Sequence, residues 1–262
     1  MAILKGASVT PDQEFTVVFK RMNNGWATID SLRNVAGLGM PYAKKLVEVQ
    51  HKSSMSELTD SGQLEKFIIG IKSAEDLTKT ANFLREQLTE QTMKNAAYSV
   101  DAASLVFAHT VLEDQINSYV GITYHFAPDL WKERVKKKQF DLEAVMEKGL
   151  DELVASLISK EIWSIRRSES LGKKIDLLLA ICKPTGPPDH PEYRFDAAKL
   201  KAIDKLRQDI VHGDLLGTAI ADIDEKLQYL RDTGMHFFMM MHKSLGLRID
   251  TTVFTSQPTP NA

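Results

Sequence analysis

The chain has 262 residues, 43% of them hydrophobic and 26% charged, which is an ordinary composition for a globular protein. A formal net charge of −2 argues against a whole-molecule basic field that would hold bulk nucleic acid. The single cysteine, Cys182, rules out an internal disulfide and a cysteine-based zinc cluster. The sequence has no signal-peptide pattern, and no stretch approaches the roughly 18 apolar residues of a membrane span. We therefore expect a cytoplasmic protein that does not associate with membranes.

The N-terminal region is predicted to be mostly helical and has no recognisable role. Thr10, Pro11 and Gln13 are typical of a helix start, with Thr10 as N-cap and Gln13 completing a capping box. The next segment, Glu14–Met22, is rich in Val and Phe, so a short strand is an alternative there. Asn23-Asn24-Gly25 is a turn signal. Further helices, separated by glycines and polar residues, are predicted over Thr28–Val35, Pro41–Gln50, Gln63–Ile71 and Ala74–Glu90.

From about Ala96 onwards, apolar residues recur at three- and four-residue steps, which is typical of amphipathic helices. Helices are predicted over Ser104–Tyr119, Leu142–Ile162, Ile175–Cys182, Asp196–Val211 and Ile220–Leu245. A loop with four prolines, Lys183–Pro191, interrupts them, and Gly213 is typical of the residue just past a helix end. The predicted fold class is all-α, with a helical region over 1–90, a helical domain over 96–247 and a flexible tail over 250–262.

The most informative motif is Arg207 followed five residues later by His212, at the predicted end of a helix. It resembles the Arg-x4-6-His motif of the HEPN superfamily, which contains ribonucleases and nucleotide-binding helical domains. Ser104–Tyr119 resembles the first core helix of that family, and Ser170–Ile175 resembles the start of its middle helix. The resemblance covers Ala96–Leu247 and implies an up-down bundle of four to five core helices, here preceded by an additional N-terminal helical region.

The same resemblance implies a homodimeric, metal-independent endoribonuclease that needs no cofactor and has Arg207 and His212 as catalytic residues. An imidazole can take a proton from a 2′-hydroxyl, and a guanidinium can stabilise the charged phosphorane. Gln208, Asp209 and Asp214 are supporting candidates, and the two carboxylates would orient His212. Gln208 stands where active ribonucleases of the family most often have Asn, Asp or His. The implied biological role is in toxin–antitoxin pairs or antiviral defence, with an antitoxin or another protein as partner.

A basic segment beside Trp131 is a candidate RNA contact. Its residues are Lys132, Arg134, Lys136, Lys137 and Lys138. A second Arg-x4-His match, Arg231 to His236, lies inside a predicted helix and is interpreted as coincidence. His109, near Glu113 on the first core helix, is interpreted as a packing or surface residue. No spacing of His and carboxylates indicates a metal site.

Two alternatives to the ribonuclease stay open at this point. One is a non-catalytic HEPN-like helical module that binds RNA, nucleotide or a protein partner. The other is an all-α scaffold in which Arg207 pairs with a nearby acid and His212 only caps the end of its helix.

Overall fold

The computed structural model describes residues 9–68, 73–136, 149–183, 195–213 and 218–255. Within these ranges the secondary structure is helical and contains no strand, so the predicted all-α fold class is confirmed. The helices are α1 (Pro11–Asp60), α2 (Gln63–Phe67), α3 (Ala74–Ile122), α4 (Pro128–Val135), α5 (Leu150–Ser168), α6 (Leu171–Cys182), α7 (Ala197–His212), α8 (Ile223–Leu245) and α9 (Thr252–Thr255), with a 3-10 turn at Thr123–His125.

Several predicted features fall wholly or partly outside the described residues. They include the end of the helix predicted over Gln63–Ile71, the first part of the helix predicted from Leu142, most of the proline-rich loop, and residues 256–262 of the predicted tail. The described part of that tail contains the short helix α9.

Helix α1 begins with the predicted capping box. The backbone N–H of Thr10 donates to Oε1 of Gln13 at 3.1 Å, and the N–H of Gln13 donates to Oγ1 of Thr10 at 3.2 Å. The strand alternative for Glu14–Met22 is wrong, because this segment is helical throughout. Phe15 and Val18 are buried there on one face, as the three-residue step of a helix requires.

The turn predicted at Asn23-Asn24-Gly25 is also wrong, because α1 continues without a break through it. A Cβ atom added at Gly25 would lie 2.6 Å from Cγ2 of Val111, on α3. Glycine therefore serves here to let two helices approach closely. The helix also continues through Gly37 and Pro41, so the separate helices predicted over Thr28–Val35 and Pro41–Gln50 are parts of one element.

The chain forms two compact units, each assembled from segments that are distant in sequence. Unit 1 comprises the described residues of Met1–Trp26, Ala108–Asp204 and Leu227–Ala262, and unit 2 those of Ala27–Phe107 and Lys205–Lys226. Helix α3 runs unbroken through residues 90–96, where the sequence indicated a change from one region to the next.

The core of unit 1 joins α1, α3 and α8. Phe15 stacks on Phe238 with ring centroids 4.8 Å apart, and its ring lies 6.0 Å from that of Tyr119. The buried Gln115 side chain donates from Nε2 to the carbonyl oxygen of Gly234 at 2.8 Å and to the Tyr119 hydroxyl at 2.9 Å. Burial also raises the pKa of Tyr119, so its hydroxyl stays neutral. Residues more than two hundred positions apart in the sequence thus share one core.

An ion pair lies against this core where α6 meets α3. The side chain of Lys174 is only 1% exposed, and its Nζ donates to Oε1 of Glu113 at 3.0 Å and to the carbonyl oxygen of Arg166 at 2.9 Å. These contacts satisfy an ammonium group that would otherwise be costly to bury.

In unit 2, α1 and α3 run antiparallel. Arg33 lies 3.6 Å from Asp101 near one end, and His51 Nδ1 lies 3.0 Å from the Thr89 hydroxyl further along. Arg33 also pairs with Asp224 at 2.8 Å, which ties the first turn of α8 to the same unit. Partial burial raises the pKa of Asp101, an effect that the nearby Arg33 opposes.

The close contact at Gly25 predicts that Gly25→Ala destabilises the protein, although glycine to alanine within a helix usually stabilises it. We expect Gly25→Ala to lower the free energy of unfolding by about 1–3 kcal/mol, because the β-branched Val111 cannot move both γ-carbons out of the way. Gly37→Ala on the same helix is the matched control, since no heavy atom lies within 4 Å of its added Cβ. Helix propensity predicts a gain of about 0.5–1 kcal/mol for that control. Urea denaturation followed by circular dichroism measures both, and a stabilised Gly25→Ala would contradict the close approach.

The Lys174 ion pair predicts that its two partners differ in mutational cost. Glu113→Gln leaves the ammonium buried without its counter-charge, whereas Lys174→Met removes that charge and keeps an apolar side chain of similar length. Because Glu113 is 37% exposed, water compensates in part, and we expect Glu113→Gln to cost about 2 kcal/mol. We expect Lys174→Met to cost less, as judged by urea midpoints. The reverse order would show that the carboxylate is not what stabilises Lys174.

Candidate functional site

Helix α7, which carries Arg207 and His212, is held firmly at its start. Oδ1 of Asp196 accepts the backbone N–H groups of Ala198 at 2.9 Å and Lys199 at 3.1 Å, as an N-cap does. The Tyr229 hydroxyl on α8 donates to the carbonyl oxygen of Asp196 at 2.5 Å and accepts its N–H at 3.0 Å. The first turn of α7 is therefore fixed to α8.

The end of α7 lies where the sequence predicts it. The helix is regular through His212, and Gly213 follows with a φ of 82°, a left-handed conformation that glycine adopts at little cost. The N–H of Gly213 donates to the carbonyl oxygen of Ile210 at 3.1 Å and closes the last turn.

Arg207 and His212 differ in exposure and direction. Arg207 is half-buried and His212 is exposed, while Gln208 is exposed and Asp209 half-buried. On a regular helix, residues five apart point about 140° apart and are separated by about 7.5 Å along the axis. One chain therefore does not direct Arg207 and His212 at the same point. Asp214 lies outside the described residues.

One turn before Arg207, Asp204 takes part in a contact that the sequence did not predict. Oδ1 of Asp204 lies 3.2 Å from Nε2 of His109, whose side chain is 2% exposed. This pair joins α7 to α3 within unit 1. His109 is therefore a buried residue with a structural role. His109 and Asp204 are far apart in sequence, so no local pattern indicates that they meet.

The basic segment on α4 is only partly described, because Lys137 and Lys138 lie outside the described residues. Each of its other cations has an acidic neighbour. Lys132 lies 3.5 Å from Asp129, Arg134 lies 4.0 Å from Glu161, and Lys136 pairs with Glu133. These pairs reduce the positive field of the segment, so RNA contact there stays a prediction.

The second Arg-x4-His match lies within α8. The guanidinium of Arg231 lies 5.0 Å from the ring centroid of Trp26, and the ring of His236 meets that of Phe237 edge-on at 5.3 Å. Both side chains thus pack against aromatic rings, in keeping with the interpretation of this match as coincidence.

An open groove of about 1120 Å³ lies between α1 and α3 within unit 2. Its charged lining is nearly balanced and consists of Lys44, Lys52, Arg85, Lys94, Glu48, Glu86 and Glu90. A hydrogen bond from Lys94 lowers the pKa of Glu90 and keeps it ionised. The groove therefore shows no preference for ligands of one charge.

Among the described residues, no three His, Cys, Asp or Glu side chains are grouped closely enough to hold a metal ion. The same residues include no helix that is long and apolar enough to cross a membrane. Searches with the sequence and the structure found no matching protein-family model, no matching curated protein and no matching solved structure.

The buried thiol of Cys182 predicts slow modification. Its Sγ lies 3.7 Å from Sδ of Met241, and burial raises the pKa of Cys182 to about 11. At pH 8 roughly one thiol in a thousand is then ionised, so we expect no rapid reaction of the native protein with a disulfide reagent. Unfolding in guanidinium should expose one reactive thiol per chain. The absorbance of the coloured thiolate that the disulfide reagent releases measures the reaction of the native and of the unfolded protein. Stoichiometric reaction of the native protein within minutes would contradict the burial of Cys182.

Proposed function

We propose that the chain is a metal-independent endoribonuclease that acts as a homodimer, with Arg207 and His212 as its catalytic residues. The observation that carries the proposal is the placement of His212. It is an exposed imidazole in the last turn of α7, directly before Gly213 and five residues after the half-buried Arg207. This is the position that the resemblance to HEPN ribonucleases assigns to the catalytic histidine.

The chemistry needs one base and one cation. His212 would take the proton of a ribose 2′-hydroxyl, and the resulting oxygen would attack the adjacent phosphorus. The bond from phosphorus to the 5′-oxygen of the next nucleotide then breaks, and that oxygen takes a proton from water. The products are a 2′,3′-cyclic phosphate and a 5′-hydroxyl. Arg207 would stabilise the charge on the phosphorane oxygens.

The divergence of Arg207 and His212 on α7 supports a cleft built by two copies. With Arg207 supplied by one copy and His212 by the other, a two-fold axis creates two equivalent sites. Gln208, which is exposed beside Arg207, would line such a cleft. Asp209, and Asp214 in the segment after the helix, stay supporting candidates.

The biological role that we propose is toxin–antitoxin or antiviral RNA cleavage in the cytoplasm. It rests on the resemblance of the motif and its neighbouring helices. An antitoxin or another protein partner belongs to the same proposal.

A second candidate is a non-catalytic HEPN-like module that binds RNA, nucleotide or a protein. The direction of the two side chains favours it, because a single copy presents His212 on the surface without Arg207 beside it on the same face of the helix.

Incubation of the chelator-treated protein with total RNA tests the catalytic proposal. We expect the parent to cleave RNA and leave cyclic-phosphate ends, and Arg207→Ala/His212→Ala to lose at least about a hundredfold in rate. Val211→Ala is the matched control, since Val211 lies between the two residues and is 57% exposed. Equal cleavage by the parent and the double variant would refute the assignment of Arg207 and His212. No cleavage by the parent, with retained RNA binding in a gel shift, would support the non-catalytic module.

Mixing the single variants tests the composite cleft. If each site takes Arg207 from one copy and His212 from the other, mixed dimers of Arg207→Ala and His212→Ala chains contain one intact site. An equilibrated equimolar mixture should then recover roughly a quarter of the parent activity. No recovery above the separate variants would place both groups of each site on one chain.

A further inference from the structure

Helix α1 carries a row of large apolar side chains that unit 2 leaves uncovered. The five residues are exposed by 69%, 76%, 72%, 72% and 69% in chain order: Val35, Leu38, Tyr42, Leu46 and Val49. Their steps of three and four residues place them on one face of the helix. We call this set the outer stripe.

A different face of the same helix segment already has a partner. Small and apolar residues there are half-buried, and His51 on that face lies 3.0 Å from the Thr89 hydroxyl of α3. The half-buried set is Ala36, Met40, Ala43 and Val47. This part of α1 therefore has two apolar faces, and within unit 2 only one of them is covered. An uncovered row of large apolar side chains at helical spacing is typical of a protein–protein contact.

The outer stripe is a palindrome. Read from either end, the order of side chains is Val, Leu, Tyr, Leu, Val, and the steps between them are three, four, four and three residues. Ser31 and Ser53 extend the symmetry by one turn at each end. An antiparallel copy turned about a two-fold axis at Tyr42 would thus meet Val with Val and Leu with Leu. Contacts of this kind, in which residue i meets j and j meets i, define a two-fold interface between identical chains.

The charges around the stripe are compatible with that arrangement. The stripe itself contains no charged residue, and on its side of the helix the cation nearest to Tyr42 is Lys45, because Lys44 points to the opposite side. The symmetry places Lys45 opposite Gly39 of the second copy, where an added Cβ would meet no atom within 4 Å. The long Lys45 side chain therefore has room to reach solvent, and no like charges face each other.

We propose that the outer stripe is the contact surface for a second copy of this chain, packed antiparallel with its two-fold axis at Tyr42. The proposal rests on the stripe alone and not on the proposed ribonuclease activity. The stripe is about 21 Å long, which corresponds to an interface at the small end of the specific range. We accordingly expect a reversible dimer with a dissociation constant in the micromolar range. A different protein as occupant would not require the palindrome.

Sedimentation equilibrium of the full chain tests the dimer. We expect the mass to rise with concentration from the chain mass of 29.4 kDa to twice that value. Tyr42→Glu places two carboxylates at the axis and should keep the protein monomeric at concentrations where the parent is dimeric. Phe83→Glu is the matched control, because Phe83 is 60% exposed on α3 outside the stripe. Circular dichroism verifies that the variants keep their helix content.

A charge exchange tests the antiparallel register. Leu38 of one copy should face Leu46 of the other, so Leu38→Glu and Leu46→Lys should each abolish the dimer. The double variant Leu38→Glu/Leu46→Lys should restore it through two Glu–Lys contacts. A parallel pair would instead bring Glu to Glu and Lys to Lys, and the double variant would stay monomeric.

Three outcomes would overturn the proposal. They are a parent that stays monomeric up to about millimolar concentration, a dimer that persists in folded Tyr42→Glu, and a folded double variant that stays monomeric. The first would leave the stripe to a different protein. The second would place the self-contact elsewhere on the chain, and the third would exclude the antiparallel register. Because mass is the readout, none of these outcomes depends on whether the protein cleaves RNA.

Discussion

The close approach of α1 to α3 at Gly25 is the constraint on which unit 1 depends. Val111 lies where a side chain at position 25 would stand, so the two helices pack there with backbone against side chain. A second close approach occurs at Gly234 on α8, where an added Cβ would lie 2.7 Å from Oε1 of Gln115 on α3. With α1 and α8 both held against α3, the rings of Phe15 and Phe238 stack between them. Two positions without side chains thus allow the aromatic core to close.

The sequence predicts those parts of the fold that depend on neighbours along the chain. The capping box of Thr10 and Gln13 and the helix end at Gly213 each involve groups within a few residues, and both are present. The sequence predicts a turn at Gly25 and a helix start at Pro41, because these are the local preferences of glycine and proline, whereas α1 continues through both. Packing between distant segments outweighs a propensity cost of about 1 kcal/mol for glycine and about 3 kcal/mol for proline. A sequence window contains no information on which distant helix will supply that packing.

The same distinction applies to the candidate site. The position of His212 at a helix end is a local property and was predicted, whereas the contact between His109 and Asp204 joins distant segments and was not. The directions of Arg207 and His212 required the helix to be known as regular to its last residue. That regularity separates their directions by about 140°, which is why the proposed cleft takes one group from each of two copies. The proposed self-contact at the outer stripe of α1 rests on separate observations.

The discontinuous make-up of unit 1 has a consequence for the order in which the protein folds. Phe15 is synthesised more than two hundred residues before its stacking partner Phe238, so the apolar face of α1 around Phe15 stays without that partner while the intervening chain is made. Contacts between such distant residues also slow folding, because a long loop must close before they form. A nascent chain therefore exposes the apolar face around Phe15 until the segment that forms α8 has been made.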